Sequence, residues 1–266
     1  MPRVRLAVAL LVPEPVATEI DGLRRALGDP GLTNVVPHIT LITPVNIAAD
    51  RVPEVLADLR AAAASTQPMT LQLGPPATFS PVSPVVYLSV GDDRAGAVHA
   101  LRDALRAGAL ARPAVHDFVP HVTITENCLP ERIEAVLESL AGYIVDVEID
   151  RLHLLRDRAD GPRRWNPVAD ALFEPPLVVG TGGLPMEISF SGLVDPEVST
   201  LFDDQPLDVP TGATRIVLVA RRERDIIAAA RGWMIDGDPT FAEVVGDPEA
   251  ERQLLKGATW SAVGRA

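Results

Sequence analysis

Apolar positions along the N-terminal two-thirds of the chain fall into short blocks that alternate between two periods. Arg5 to Val12 is a compact apolar run closed by Pro13 and Pro15, which predicts a strand. From Pro15 to Leu27, the residues Val16, Ile20, Leu23 and Leu27 recur at steps of four, three and four, the period of one helix face. Val35 to Thr43 reads as a strand, and Val52 to Ala64 as a helix burying Val55, Leu56 and Leu59. Met69 to Leu73 and Val85 to Val90 are predicted strands held apart by a proline-rich stretch with Pro75, Pro76, Pro81 and Pro84. A helix over Ala95 to Leu110 and a strand over Phe118 to Thr125 follow. Next come a helix from Pro130 to Leu140, with proline in its tolerant first turn, and one long strand from Tyr143 to Leu155. The order predicts an α+β chain built from two related halves.

The pattern breaks at Glu174-Pro175-Pro176, followed by Gly180, Gly182, Gly183 and Pro185. That composition predicts a turn-rich connector over 177–185 between a domain at 1–176 and a smaller α+β module at 186–266. The module reads as a strand at Met186 to Ser191, a helix after Asp195, a strand at Arg215 to Ala220, an apolar run at Ile226 to Ile235 and a helix from Pro248 to Val263.

Composition narrows the function. With 47% hydrophobic and 23% charged residues the chain can bury a core, and scarce aromatics (4%) mean that Ala, Val, Leu and Ile build it. The balance of 24 basic against 36 acidic residues, −12 in all, excludes an extended basic surface for nucleic acid, while a local arginine cluster at a small site stays allowed. One cysteine, Cys128, excludes an intramolecular disulfide and a cysteine-rich zinc site. The apolar run Val4 to Val12 is about half of what spans a bilayer, so no membrane is expected and a cytoplasmic location is the default expectation.

The chemistry lies in a repeat. Val36-Pro37-His38-Ile39-Thr40-Leu41 and Val119-Pro120-His121-Val122-Thr123-Ile124 share four identical positions and fall on the same kind of element in each half. Residues i and i+2 of a strand face the same way, so His38 projects with Thr40, and His121 with Thr123. If the halves pack about a pseudo-twofold axis, two imidazoles and two hydroxyls converge on one small pocket suited to phosphate. The hydroxyls donate to non-bridging oxygens. A neutral imidazole takes a proton from the nucleophile, and a protonated one gives a proton to the leaving oxygen, with no metal required. No His-x-x-x-His pair and no carboxylate cluster beside the motifs points to a metal, and no cofactor is implied.

With those residues in view, the sequence resembles the two-histidine (2H) phosphoesterases, which include bacterial RNA 2′-5′ ligases and 2′,3′-cyclic phosphodiesterases. The resemblance covers roughly residues 3 to 173. It implies a duplicated, two-lobed α+β fold with antiparallel sheets lining a central cleft. It further implies that His38 and His121 serve as general base and general acid, in an order left open, and that Thr40 and Thr123 bind the scissile phosphate. The substrate implied is a nucleotide or an RNA end.

Other residues offer substrate contacts. Phe118, Tyr87 and Trp165 are candidates to stack a base. Arg156 and Arg158, within the cluster of Arg151, Arg163 and Arg164, are candidates for a phosphate clamp. The alternative for that cluster is a solvated turn balanced by Asp150, Asp157 and Asp160. His116 and His153 read as structural or surface groups, and His99 sits in a helix with Val98 and Leu101 and carries no motif. The C-terminal module resembles part of a GNAT-type N-acyltransferase. Glu251-Arg252-Gln253-Leu254-Leu255-Lys256-Gly257-Ala258 falls where that family carries its pyrophosphate-binding turn, although the first glycine is missing and the spacing differs. A plain α+β extension, packed on the first domain or pairing two chains as a homodimer, is the other reading.

Overall fold

The computed structural model describes residues 2–113, 116–158, 164–173, 177–179, 186–191, 196–203, 205–222, 225–235 and 238–263. Its elements in chain order are β1 (Arg3–Leu11), α1 (Val16–Leu27), β2 (His38–Ala48), α2 (Val52–Ala64), β3 (Met69–Thr78), β4 (Val86–Val90), α3 (Asp92–Arg106), β5 (His121–Thr125), α4 (Pro130–Ser139), β6 (Val145–Ile149), β7 (Arg151–Asp157), β8 (Trp165–Leu172), β9 (Leu177–Val179), β10 (Met186–Ser191), α5 (Pro196–Ser199), β11 (Thr214–Arg222), β12 (Asp225–Ile235), β13 (Asp238–Gly246) and α6 (Pro248–Val263).

The first eight strands form one antiparallel sheet in the order β6-β3-β4-β5-β2-β1-β7-β8. Its middle is its weakest seam, because β2 and β5 pair only at Ile39↔Val122. Four strands on either side of that seam make two lobes, β6-β3-β4-β5 and β2-β1-β7-β8. The seam also explains the curvature. In a flat sheet β6 and β7 would lie six strand spacings apart, on the order of 30 Å. A single residue, Asp150, joins Ile149 to Arg151, so the sheet must curl until its flanks meet.

One face of this sheet is covered. Leu6, Val8 and Leu10 of β1, Ile39 and Leu41 of β2, Val122 and Ile124 of β5 and Leu154 of β7 share a buried core with Ile20 of α1, Val55 and Leu59 of α2, Leu101 and Leu105 of α3 and Ile133 of α4. Helix α1 stops where its apolar period stops. Gly28 takes a left-handed φ of 69°, and its N–H closes the last turn onto Arg24 and Arg25 carbonyls. Residues one step along each strand point to the opposite face, which carries the histidines.

Three local expectations are corrected. The stretch Tyr143 to Leu155 is two strands, because the partner changes from β3 to β1 across Asp150. Strand β3 runs on through the proline-rich stretch to Thr78. A register shift between Leu73 and Pro76 accommodates prolines that donate no hydrogen bond. Gly74 in that shift has φ 103°, and a Cβ there would lie 2.1 Å from the Tyr143 carbonyl oxygen. Leu177–Val179, within the predicted connector, pairs with β10 and so belongs to the second sheet.

That second sheet is a meander in the order β13-β12-β11-β10-β9, antiparallel throughout. Ala250 and Leu254 of α6 pack on Met186, Ile188, Leu218, Ala228 and Ala230, while Val198 and Phe202 cover Val217, Val219 and Ala229 on the other face. The stretch Glu251 to Ala258 lies inside α6, where backbone N–H groups are taken by the helix itself, so it forms no pyrophosphate-cradling turn. The two sheets meet where β10 lies against β8 and Arg60 of α2 pairs with Glu197 of α5 at 3.4 Å. Among the described residues no helix is long and apolar enough to cross a membrane.

Candidate active site

His38 opens β2 and His121 opens β5, the two strands at the seam. A proline precedes each and biases the residue before it, Val36 or Val119, toward extended backbone. The local consequence is the same twice. His38 Nδ1 donates to the Val36 carbonyl at 2.8 Å, and His121 Nδ1 to the Val119 carbonyl at 2.6 Å. A carbonyl only accepts, so each Nδ1 carries the proton and each Nε2 is left as the working nitrogen.

Directly paired residues of an antiparallel ladder share a face. Carrying the Ile39↔Val122 register one residue each way sets His38 opposite Thr123 and Thr40 opposite His121. The two imidazoles are then diagonal neighbours, with Cβ atoms about 7–8 Å apart at most. That gap is the scale of one phosphate between two Nε2 atoms. The row through His121 continues to Ser89 on one side, and from Thr40 to Ala9, His153 and Asp170 on the other. The row through His38 runs to Leu11, and Thr123 pairs with Tyr87.

Burial lowers the pKa of both histidines below the usual imidazole value, against the opposing pull of each backbone carbonyl. His38 is depressed further by the positive charges of Arg24 and His121. That electrostatic contact between the two imidazoles is what the shared seam requires.

Their surroundings differ. Arg24, 4% exposed on α1, donates to Asp29 and Asp21 at 2.9 Å each and to the Val35 carbonyl at 2.9 Å. It thereby fixes the segment whose next carbonyl holds His38. Asp29 also accepts from the Glu126 N–H at 3.2 Å, just beyond β5, so one buried pair anchors both motif strands. His121 instead sits among rings, with Phe79 and Tyr87 centroids each at 5.0 Å and Phe79 stacked on Tyr87 at 4.3 Å.

Where β2 and the approach to β5 separate, a cavity of about 700 Å³ opens from Thr40 and His121. It runs between Leu41–Val45, the loop bearing Phe79 and Val82, the segment leading to Val119, and α3, from which Arg102 and Arg106 reach it. His38 and Thr123 lie outside its lining.

The predicted substrate contacts fare unequally. Phe118 lines the cavity, but Arg102 covers its ring at 4.4 Å and His99 meets it edge-on at 4.9 Å, so the ring is already engaged. Tyr87 is buried behind His121 and does not line the cavity. Arg156 and Arg158 are exposed at the end of β7, outside that lining. Arg151 is held by Asp150 and Asp170, Arg164 by Asp157, and Arg5 lies over Trp165 at 5.7 Å. These contacts fit the balanced turn. Arg163 and Asp160 lie outside the described residues. Sequence reasoning missed Arg24, Asp29 and Phe79, which carry no motif. His116, an exposed residue, lines the cavity, and His153, with a buried Nδ1, lies on the same sheet face as His38 and His121.

A curled antiparallel α+β sheet with a His-x-Thr on each of its two central strands defines the two-histidine class. The chain belongs to the 2′-5′ RNA ligase superfamily, whose family model matches residues 12–161. It is 31% identical over 154 residues to a Bacillus pumilus (strain SAFR-032) protein named "Putative phosphoesterase", covering 57% of this chain and 89% of that one. A Bacillus thuringiensis (strain Al Hakam) protein of the same name is 28% identical over 159 residues, covering 59% of this chain and 91% of its own. Among solved structures, E. coli LigT complexed with 3′-AMP shares the fold at a TM-score of 0.50 and 17% identity, over 64% of this chain and 97% of that one.

Proposed function

We propose that the chain is a phosphoesterase that opens a 2′,3′-cyclic phosphate or a 2′-5′ phosphodiester in RNA or a nucleotide by acid–base chemistry of its two imidazoles. One observation carries this reading. Both His-x-Thr pairs stand on adjacent strands of one sheet face, with both Nδ1 protons committed to backbone and both Nε2 atoms left for substrate. Thr40 and Thr123 hydroxyls donate to the non-bridging oxygens. His38, kept neutral first by burial and further by the neighbouring Arg24 charge, takes the proton of the attacking water. His121, lowered by burial as well but with no arginine charge beside it and with the Phe79 and Tyr87 rings around it, is the imidazole that carries the proton and gives it to the ribose oxygen as its bond to phosphorus breaks. The water oxygen replaces that ribose oxygen on phosphorus, and a phosphomonoester and a free ribose hydroxyl result.

Turnover of nucleoside 2′,3′-cyclic phosphates in the presence of EDTA tests the proposal. The expected result is hydrolysis, falling about 10²–10⁴-fold in His38→Ala and in His121→Ala. Because both histidines titrate below the ordinary imidazole value, kcat/KM peaks below about pH 6.5 and declines as pH rises. Binding of the cyclic phosphate without turnover makes the chain a recognition protein instead.

A further inference from the structure

The cavity beside His121 is far larger than one phosphate needs. At about 700 Å³ it is the size of a nucleotide site, and it leads away from the imidazoles toward α3. Its inner wall is apolar, with Leu41, Val45, Phe79 and Leu110, as a base or ribose requires. The far wall differs. Arg102 and Arg106 stand one turn apart on α3, and Arg112 follows in the next segment.

Like charges at i and i+4 repel, and here burial adds to the cost. The Arg102 guanidinium is held below its ordinary range first by desolvation and then by Arg106, while Asp103 on its own helix pulls the other way. Among the described residues no carboxylate comes within ion-pair distance of these three guanidiniums. Asp117 lines the cavity without pairing to them, and His116 lines it as well. Their partners among the described residues are neutral: Arg102 covers the Phe118 ring, Arg106 donates to the Arg112 carbonyl at 2.8 Å, and Arg112 donates to the Ala111 carbonyl. In a chain of net charge −12, an uncompensated cationic wall is the opposite of what surface composition supplies. Elsewhere the arginines Arg24, Arg151, Arg164 and Arg231 each meet a carboxylate at 2.9 Å or closer.

We infer that Arg102, Arg106 and Arg112 bind a second phosphate of the substrate, so that the ligand is a nucleoside carrying a further phosphate, as an RNA end or a bisphosphorylated nucleoside does. This rests on the reading of the histidine pair as the scissile-phosphate site. A guanidinium pair donates to several phosphate oxygens at once, and the apolar stretch between the two anion sites takes the sugar and base. It also gives Arg102 a role that base stacking on Phe118 would deny it, since the guanidinium already occupies that ring.

Calorimetric titration with adenosine 2′-monophosphate and adenosine 2′,5′-bisphosphate, both in EDTA, isolates the second phosphate and needs no turnover. The wild-type chain should bind the bisphosphate about ten-fold tighter or more. That preference should shrink to about two-fold or less in Arg102→Gln/Arg106→Gln and persist in Arg132→Gln, an exposed arginine of α4. A thermal melt checks that the double variant is folded, and the wild-type comparison stands without it. Equal affinity of the two probes for the wild-type chain, or a preference that survives the double substitution, overturns the inference. Absence of hydrolysis with this preference intact overturns only the phosphoesterase reading. Failure of both probes to bind overturns both.

Discussion

The two lobes offer the same imidazole twice, and the environments around the two copies are not interchangeable. Each ring is tethered through Nδ1 to the carbonyl two residues earlier, so tautomer and direction are equal. Behind His38 stands a buried ion pair whose positive member opposes protonation, whereas His121 is flanked by the π-systems of Phe79 and Tyr87. Duplication makes the pair, and the residues that support its two members differ; in the proposed mechanism that difference separates base from acid. The cavity follows the same asymmetry, because it opens at His121 and Thr40 and leaves His38 outside.

Breaking the Arg24–Asp29 pair attacks one side of that comparison. Asp29→Ala leaves a buried guanidinium with only part of its partners and frees the Glu126 N–H. We expect a loss of about 3–5 kcal/mol in denaturant unfolding. In whatever fraction stays folded, the His38 imidazole signal should move more than that of His121.

A second change tests the same face within the lobe of His38. His153 lies on the face that carries His38 and His121, two strands from Thr40 across the small residue Ala9, and its Nδ1 has no hydrogen-bond partner among the described residues. Burial pushes its pKa down to about 4, with Asp170 pulling upward and Arg151 downward. A base depressed on folding takes up its proton more readily when unfolded. Stability is therefore complete above about pH 6.5 and declines as pH falls toward 4, by roughly 3 kcal/mol from this group. Unfolding curves of His153→Gln should show a shallower acid decline than those of the wild type. Equal slopes would remove His153 as the cause.

The smallest effect sharpens the other side. Phe79→Leu keeps an apolar wall but removes a ring 5.0 Å from His121. A lost cation–π attraction of about 0.5–1 kcal/mol lowers the His121 midpoint by about half a pH unit. The alkaline limb of kcat/KM should move down by that amount, with His38 unchanged.

The parts legible in the sequence are those set by short-range pattern. Helix α2 begins and ends where its apolar period and Pro53 place it, and the two His-x-Thr repeats announce their own strands. Register with distant partners left no such trace. In residues 145–157 two polar residues in a row, Asp150 and Arg151, shift the alternation by one position, but nothing in that slip names the partners, which change from one flank of the sheet to the other. Strand β13 is half-exposed and mixed in character, so its pairing with β12 is invisible to hydropathy. Phe79, Arg24 and the α3 arginines reach the site from elements that carry no motif. Only the fold shows that a loop phenylalanine and a helix arginine stand behind different histidines.

Central to this account is that both imidazoles address one phosphate. Nitrogen-detected NMR of the two histidines, titrated with pH and then with inorganic phosphate, measures it directly. Both neutral rings should show the Nδ1–H tautomer, both midpoints should lie below about 6.5 with His38 the lower, and both should rise on addition of phosphate. Opposite tautomers, or a phosphate response confined to one ring, would contradict it.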